Sequence, residues 1–276
     1  MTTPFEPITS PTNPRVRQAA RLREADARHD TGLTLVDGRR ELARAAAAGV
    51  EIVEVFLDAE SPPAADREAW LRELAARGTH VVALARRPFE KIAFGGRNEG
   101  IVGVVRFAAR PLALLRVAAD RPVFVIEGVE KPGNLGAILR TADAAGLAGV
   151  IACGPGTDPA NPAAIRASLG TVFSLPLAVA TSPEAIAWCA ASGRRVLAAT
   201  PDGTALWHEA RLAGATAIVL GSEAHGLSPA WHEAGATGRF TLETVRLPMQ
   251  GIADSLNVSA AAAILAYEAL RQAQAD

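Results

Sequence analysis

Short runs of β-branched and other apolar residues alternate with stretches in which apolar residues recur every three or four positions. The first pattern is typical of β-strands and the second of amphipathic helices. In the first half of the chain, the alternation predicts helices at residues 15–28, 39–48 and 66–77. It predicts strands at residues 51–57, 80–84 and 101–107, and a further strand that ends in a turn at 36–38. The first hundred residues are therefore expected to form a compact α/β domain.

The alternation is more regular from about residue 122 onward. Residues 123–126 are apolar at every position, as expected for a strand that is covered on both faces. Further strands are predicted at residues 149–152, 177–180, 196–199, 215–220 and 244–247. Helices are predicted from about residue 135 and at residues 162–168, 183–192, 229–234 and 258–272. This order indicates an α/β fold with a doubly wound parallel sheet.

A stretch that contains Pro111 and ends before Pro122 separates the two patterns. The chain has 276 residues, a length that suits one large or two modest domains. We therefore predict an N-terminal domain at residues 1–110, a linker at 111–121 and a C-terminal domain at 122–276.

Composition excludes several classes of protein. Hydrophobic residues make up 49% of the chain, which is ample for a buried core. No apolar run approaches the roughly 20 residues that a membrane span needs. Residues 1–10 lack the basic and apolar regions of a secretory signal. We therefore expect a cytoplasmic protein that does not enter a membrane.

The charged and sulfur-containing residues limit the possible ligands. A formal net charge of −1 provides no general attraction to nucleic acid, so any RNA contact must come from local patches. Lysine occurs only at Lys91 and Lys131, so nearly all of the 28 basic residues are arginine, a bias that GC-rich coding explains most simply. Cys153 and Cys189 lie among apolar residues and are predicted to be buried free thiols. The five histidines are not spaced as metal ligands, so metal catalysis is not expected.

Three polar segments follow predicted strands and lead into predicted helices, where α/β proteins build ligand sites. They are residues 131–146, 218–228 and 247–259. Gly128 and Gly133 have the spacing of a phosphate-binding loop, but Asn134 stands where that loop needs lysine. The segment also lacks the third glycine of a dinucleotide-binding fingerprint. Neither of these two sites is predicted.

Helix-start signals occur in the second and third segments. Ser255 and Asn257 are residue types that cap helix N-termini, and a plain capped helix is the simplest interpretation of that pair alone. Ser228 before Pro229 is predicted to start a helix as its N-cap residue, with a structural role only.

Taken together and in this order, the three segments resemble the signature motifs of the SpoU branch of the SPOUT RNA methyltransferases. Members of this family transfer a methyl group from S-adenosylmethionine to a ribose 2′-hydroxyl of RNA. The resemblance implies a C-terminal domain with a deep trefoil knot that forms the cofactor cleft. It also implies a homodimer and a reaction without a metal ion.

The resemblance assigns roles to individual residues. Arg140 corresponds to the arginine that contacts the target ribose and has been proposed as the general base. Because a guanidinium has a pKa above ~12, alignment of the 2′-hydroxyl and stabilisation of its developing charge suit Arg140 better. Asn134 would orient Arg140 or the ribose, and Glu223 would fix the arginine or accept a proton. The resemblance places Ser255 and Asn257 near the reaction centre, and surrounds the cofactor with Thr200, Leu220, Gly221, Leu247, Met249 and Leu256.

The N-terminal half resembles the substrate-binding domain of the SpoU rRNA methyltransferases, which is similar in fold to a kink-turn-binding ribosomal protein. The arginines predicted to contact RNA phosphates are Arg15, Arg17, Arg39, Arg40 and Arg97. For each of them alone, a solvated surface position is the alternative. Arg166, in a stretch that also resembles the family, is predicted to contact RNA or a partner subunit, with a plain surface helix as the alternative.

The sequence thus predicts an S-adenosylmethionine-dependent RNA 2′-O-ribose methyltransferase that acts on ribosomal RNA. Three alternatives remain open at this point. The first is a non-catalytic RNA-binding or ribosome-assembly factor with the same fold, and the second is a tRNA 2′-O-methyltransferase. The third, a small-molecule enzyme with a dinucleotide site, is disfavoured by the missing glycine fingerprint.

Overall fold

The computed structural model describes residues 6–61, 65–94 and 99–275, and its contacts divide the chain into two compact units. The first unit comprises Met1–Ala108 and Ala160–Ser174, and the second comprises Ala109–Pro159 and Leu175–Asp276. The segment 160–174 therefore returns to the first unit although it lies late in the chain. The predicted linker at 111–121 stays a prediction.

The first unit contains a four-stranded mixed sheet in the order β1-β4-β2-β3, in which only β2 and β3 are parallel. Its elements up to residue 108 are α1 (Pro14–Arg21), α2 (Ala25–Thr31), β1 (Leu33–Asp37), α3 (Arg39–Ala47), β2 (Ile52–Asp58), α4 (Ala65–Ala76), β3 (His80–Leu84), α5 (Arg86–Ile92) and β4 (Ile101–Arg106). Val16, Phe56 and Phe89 are fully buried between the helices and the sheet. The predicted α/β character of this half is confirmed.

The single helix predicted at residues 15–28 is wrong, because the chain breaks into α1 and α2. Arg28 is buried, with 4% of its surface exposed. Its guanidinium donates hydrogen bonds to the carbonyl oxygens of Leu22 at 3.1 Å and Arg23 at 2.8 Å. These carbonyls lie at the end of α1 and lack helical partners, so Arg28 stabilises the break. Helix α5 was not predicted, although its Phe89 and Ile92 are fully buried.

The second unit contains an eight-stranded sheet among the described residues, and all of its paired strands are parallel. The remaining elements of the chain are β5 (Arg110–Pro111), β6 (Val123–Glu127), α6 (Pro132–Ala144), β7 (Gly149–Cys153), α7 (Pro162–Ala167, in the first unit), β8 (Leu177–Ala180), α8 (Ser182–Ala191), β9 (Arg195–Ala199), β10 (Ala205–Leu206), β11 (Thr216–Leu220), α9 (Pro229–Ala236), β12 (Leu242–Arg246) and α10 (Val258–Ala275). The predicted parallel sheet is confirmed. The two-residue strands β5 and β10 are too short to produce a sequence pattern.

The strand order is β10-β12-β9-β11-β6-β7-β8-β5, so β11 lies between β9 and β6. The chain runs outward from β6 through β7 to β8 and then returns on the other side of β6. A crevice forms at such a reversal, outside the carboxyl ends of the strands. The register aligns these ends, since Leu220 lies opposite Ile126 and Ala199, and Ala199 lies opposite Val245. The trefoil knot stays a prediction.

Helix α10 packs against α6 and carries the last motif towards the first. The buried residues of α10 include Val258, Ala262 and Leu265, and those of α6 include Ile138 and Leu139. Small alanines on α10 allow a close approach of the two helices. This packing places the start of α10 beside the start of α6.

Cys153 and Cys189 are free and buried, as predicted. Burial raises the pKa of each thiol to about 12. Both side chains belong to the apolar core of the second unit. Among the described residues, no helix is both long and apolar enough to cross a membrane.

Candidate active site

Three polar residues from the three motifs meet at the carboxyl edge of the second unit's sheet. Asn134 lies in the first turn of α6, Glu223 in the loop after β11, and Asn257 immediately before α10. The amide Nδ2 of Asn134 donates a short hydrogen bond to Glu223 Oε1. The amide Nδ2 of Asn257 donates to Asn134 Oδ1 at 3.2 Å. Glu223 and Asn257 are exposed and Asn134 is half-buried, so the cluster is open to a ligand from solution.

The direction of these hydrogen bonds is set at the start of α10. Asn257 Oδ1 accepts from the backbone N–H of Ser259 at 2.9 Å and from its hydroxyl at 2.6 Å. Asn257 is therefore the N-cap residue, and its amide nitrogen must point away from the helix. Asn134 then presents its oxygen to Asn257 and its nitrogen to Glu223. The donors run from Ser259 through both asparagines and end on a carboxylate, which can only accept when ionised.

Ser259 is a site residue that sequence reasoning missed. It occupies the second position of α10, two residues after the N-cap. The available signal was this position alone, because the backbone N–H at N2 is a usual partner of an N-cap side chain.

The structure does not join Arg140 or Ser255 to the cluster. Arg140 is exposed on α6, about 9 Å along the helix axis from Asn134 at 1.5 Å per residue. Within the part of the chain that the structure describes, its side chain makes no hydrogen bond or ion pair. Ser255 is likewise exposed. The predicted contact between Glu223 and the motif arginine is thus replaced here by the contact with Asn134, and the Arg140 guanidinium is available to a ligand.

A buried carboxylate anchors the loop that carries Glu223. Glu127, the last residue of β6, is 5% exposed. Its Oε2 accepts from the backbone N–H of Ser228 at 2.8 Å, and its Oε1 accepts from the Ser228 hydroxyl at 2.9 Å. Glu127 therefore links the end of β6 to the end of the loop after β11. Sequence reasoning missed Glu127, because a lone carboxylate at the end of a strand has no distinguishing pattern.

Ser228 does occupy the position before α9, as predicted, but its side chain does not cap that helix. The hydroxyl is used by Glu127 instead. The predicted N-cap position and structural role of Ser228 are therefore confirmed, and its hydroxyl in addition joins the loop after β11 to the end of β6.

The loop after β11 is a tight turn closed by its own backbone. Ser222 and Gly226 exchange two backbone hydrogen bonds of 3.0 Å each, and Gly226 has a φ of +67°. A Cβ atom at Gly221 would lie 2.2 Å from the carbonyl carbon of Gly226. Glycine at position 221 is therefore required by the loop itself, and its place beside a cofactor stays a prediction. The turn holds Glu223 at its tip.

Thr200 carries an unsatisfied polar atom at the end of β9. Its hydroxyl is buried and has no hydrogen-bond partner among the described residues. Its backbone N–H donates to the carbonyl oxygen of Val245 at 2.9 Å. A buried polar group without a partner is costly, so this hydroxyl fits a hydrogen bond to a bound ligand.

The other residues predicted to surround a cofactor lie on the same edge. Leu220 is buried at the end of β11, Leu247 and Met249 are half-buried after β12, and Leu256 is 40% exposed. Thr200, Gly221 and Leu247 directly follow the last residues of β9, β11 and β12, respectively. The hydroxyl and the backbone groups suit the polar atoms of a nucleoside, and the apolar side chains suit the faces of its base. The residues present therefore fit an adenosyl cofactor.

The arginines predicted to contact RNA belong to the first unit, and most of those described have internal partners. Arg15 pairs with Glu54 at 3.0 Å and Arg40 with Glu41 at 2.6 Å. Arg39 is half-buried, and its backbone N–H donates to Glu99. Arg17 is exposed, and Arg97 lies outside the described residues. The carboxylates of these two pairs are largely buried, so a phosphate that took their arginines would leave a buried charge without its partner. Phosphate contacts by these residues stay predictions.

Arg166, on α7, is used inside the first unit. Its guanidinium donates to Asp37 Oδ2 at 3.1 Å and to the carbonyl oxygen of Phe94. The same Asp37 oxygen accepts from the Phe94 backbone N–H at 2.6 Å. Burial raises the pKa of Asp37, and the neighbouring Arg166 opposes the rise. This network explains why residues 160–174 belong to the first unit, and a contact of Arg166 with RNA stays a prediction.

These features define a class of protein. It is an α/β protein with an open polar cluster and residues that fit an adenosyl cofactor, both at the carboxyl edge of a parallel sheet, where the strand order reverses. Comparison with known families agrees with this class. The family model described as SpoU rRNA Methylase matches residues 121–267, and the model described as MRM3-like substrate binding domain matches residues 13–103. The chain belongs to the SpoU rRNA methylase family.

Individual relatives cover nearly the whole chain. The chain is 32% identical over 270 residues to the 23S rRNA (uridine(2479)-2′-O)-methyltransferase of Streptomyces viridochromogenes, covering 94% of this chain and 90% of the relative. A solved RNA 2′-O ribose methyltransferase is 38% identical with a TM-score of 0.83, covering 98% of this chain and 100% of the other. The SpoU methyltransferase AviRb of Streptomyces viridochromogenes, solved with AdoMet, is 29% identical with a TM-score of 0.85, covering 95% and 98% of the two chains.

Proposed function

We propose that this protein transfers a methyl group from S-adenosylmethionine to a ribose 2′-hydroxyl of 23S ribosomal RNA. The observation that carries the proposal is the cluster of Asn134, Glu223 and Asn257 at the carboxyl edge of the parallel sheet. Family membership and relatives that are named 23S rRNA 2′-O-methyltransferases support it. The intact cluster argues against a non-catalytic member of the family.

The chain's own residues would hold both reactants. The cofactor, when bound, supplies an electrophilic methyl group on a sulfonium. Thr200, with its unsatisfied hydroxyl, would hold the cofactor together with residues of the same edge, namely Leu220, Gly221, Leu247, Met249 and Leu256. Holding the 2′-oxygen in line with the methyl group is the main task that remains for the protein.

Arg140 and Glu223 would divide the work on the ribose hydroxyl. The guanidinium of Arg140 stays protonated, so it would align the hydroxyl and stabilise negative charge as it develops on oxygen. The Glu223 carboxylate, which receives its internal hydrogen bond from Asn134, has a second oxygen available to accept the hydroxyl proton. Ser255 and Asn257 would contact the sugar or its phosphate at the same edge.

The first unit would supply the RNA-binding surface, through Arg15, Arg17, Arg39, Arg40 and Arg97. A homodimer of knotted C-terminal domains is part of the proposal. Its support is a group of exposed apolar side chains in and after the third motif: Ile252 is 104%, Leu256 40% and Tyr267 53% exposed. Exposed apolar side chains are the kind of surface that such an interface would bury. Action in the cytoplasm, where ribosomes are made, follows from the same function.

The test is methyl transfer from tritiated S-adenosylmethionine to in vitro transcribed 23S rRNA, 16S rRNA and tRNA, followed by mass-spectrometric mapping of the labelled nucleotide. We expect label in 23S rRNA alone, at one nucleotide and on its ribose. Label in tRNA alone would make the protein a tRNA methyltransferase. Binding of 23S rRNA without any label would make it a binding factor.

A further inference from the structure

The amino edge of the second unit's sheet, opposite the candidate active site, is lined with arginine. Arg194 lies immediately before β9, and Arg195 is the first residue of that strand. Arg121, Arg211 and Arg239 lie in the segments that lead into β6, β11 and β12. These four strands are neighbours in the order β12-β9-β11-β6. The cationic positions are therefore gathered along one edge, although they are far apart in the chain.

The strand register confirms that the starts of these strands are level. Arg195 lies opposite Thr216, and Val196 lies opposite Leu242. Strands of a sheet are about 4.8 Å apart, so the four starts span about 14 Å. The strands have five residues at about 3.3 Å each, so this edge lies about 16 Å from the carboxyl edge. The two edges are distinct surfaces of one unit.

A cavity of about 590 Å³ lies at this edge. The charged side chains that line it are Arg194, Arg195, Arg211, Arg239 and Glu243. We call it the amino-edge groove. Four guanidinium groups against one carboxylate make it strongly cationic in a chain with a net charge of −1.

The arginines of the groove differ in what they already bind. Arg194 is 6% exposed and donates to the carbonyl oxygens of Arg121 at 2.7 Å and Ala118 at 2.6 Å, so it is structural. Arg195 pairs with Glu243 at 3.3 Å and donates to the carbonyl oxygen of Arg211 at 3.0 Å, which fixes the chain before β11. Arg211 and Arg239 are exposed at the rim. Within the described residues, the Arg239 side chain has no hydrogen bond or ion pair.

We propose that the amino-edge groove binds phosphodiester groups of an RNA segment other than the one that enters the active site. The inference rests on the proposed function, because it takes RNA as the polyanion. Guanidinium groups bind phosphate with a fork of parallel donors, and a row of them matches successive phosphates of one strand. Phe240 is the aromatic residue that lines the groove, and it is half-buried, so the groove would read charge and shape rather than sequence.

The test compares RNA binding by R211Q/R239Q with that of the wild type, using in vitro transcribed 23S rRNA over a series of KCl concentrations. We expect binding that is weaker by at least roughly tenfold at 0.1 M salt, and a log–log salt slope that is smaller by about 1 for each lost contact. The affinity for S-adenosylmethionine should be unchanged, because the groove is on the other edge. The variant R211K/R239K keeps the charges and should bind RNA within a few-fold of the wild type.

The matched control is R72Q/R77Q, which removes two exposed arginines of the first unit, Arg72 in α4 and Arg77 immediately after it. It should leave both the affinity and the slope unchanged. Wild-type affinity and slope in R211Q/R239Q would overturn the proposal, as would an equal loss in R211K/R239K. If inorganic phosphate raises the melting temperature of the wild type but not of R211Q/R239Q, while RNA binding is the same in both, the groove is a small-anion site and the proposal is wrong. Wild-type protein that binds RNA without methylating it would instead contradict the proposed function and leave the groove proposal intact.

Discussion

Asn257 donates a hydrogen bond of 3.2 Å to Asn134, and this contact joins residues that are 123 positions apart in the chain. Asn257 is held by the start of α10, and Asn134 by the start of α6. The packing of α10 on α6 therefore determines where the polar cluster forms. Glu223, at the other side of Asn134, completes it.

Replacement of Thr200 by valine should have opposite effects on the free protein and on cofactor binding. The Thr200 hydroxyl is buried without a partner, so its removal should leave the free energy of unfolding unchanged or raise it by about 1 kcal/mol. The same change should weaken S-adenosylmethionine binding by roughly tenfold, about 1.4 kcal/mol. Chemical denaturation and titration calorimetry measure the two effects.

The control for T200V is T216V. Thr216 is fully buried, and its hydroxyl donates to the carbonyl oxygen of Ala213 at 3.0 Å. T216V should therefore destabilise the protein by about 1–2 kcal/mol and leave cofactor affinity unchanged. Unchanged cofactor affinity in T200V would remove Thr200 from the proposed site.

Replacement of Ser259 by alanine should slow methyl transfer with little loss of stability. The hydroxyl is one of two donors to Asn257 Oδ1, and the backbone N–H donor remains in S259A. We expect kcat to fall roughly tenfold as the Asn257 amide gains freedom, with a stability loss below about 1 kcal/mol. S259T retains the hydroxyl and should recover most of the activity. In the control S192A, which loses the bond to Cys189 O at the end of α8, kcat should not change.

Replacement of Glu127 by glutamine should affect catalysis through the loop that carries Glu223. A glutamine keeps an acceptor for the Ser228 N–H and can donate its amide to the Ser228 hydroxyl, so two charge-assisted hydrogen bonds become neutral ones, at a cost of about 1–2 kcal/mol. We expect lower kcat with little change in cofactor affinity. The control E268Q alters a carboxylate that is equally buried, at 5% exposure, and is bound by Arg271 and Gln272. Equal losses of kcat in the two variants would indicate general destabilisation and contradict a positioning role for Glu127.

The stability of the protein should depend on pH through Asp37. Its pKa is raised by burial, so the folded state binds the proton more tightly than the unfolded state does. For such a carboxyl, stability falls as the pH rises from the unfolded pKa through the higher folded pKa and is constant above it. The stability of the wild type relative to D37N should therefore decrease between about pH 4 and the raised pKa. Denaturation of both proteins from pH 4 to 8 measures this. A wild-type stability that increases with pH relative to that of D37N would contradict it.

Much of the fold was predictable because the parallel strands are buried on both faces. Strand β6 is apolar from Val123 to Ile126, and such runs between turn residues are distinctive. The cluster was predictable as a set of motifs, because each polar segment follows a strand of the same parallel sheet. Hydrogen bonds join Asn134 to Glu223 and to Asn257, whereas the resemblance implied only that each acts near Arg140 and the ribose.

Other features depend on contacts that a local pattern does not record. The break after α1 is held by Arg28, whose side chain turns back onto carbonyl oxygens of the preceding turn. Arg166 pairs with Asp37, 129 positions away, a contact that the sequence did not indicate. Glu127 binds Ser228 across 101 positions. In each case a charged residue, which usually lies at the surface, has found a partner that only the tertiary structure provides.

The most direct test of the central claim is tritiated methyl transfer to unmodified 23S rRNA by R140A, compared with the wild type and with D143A. Arg140 and Asp143 are both exposed on α6, so the control reports any damage to the helix. We predict that R140A binds S-adenosylmethionine with wild-type affinity but loses at least roughly a hundredfold in methyl transfer, and that D143A keeps its activity. Methyl transfer by R140A near the wild-type rate would contradict the proposed action of Arg140 on the ribose hydroxyl at this edge of the sheet.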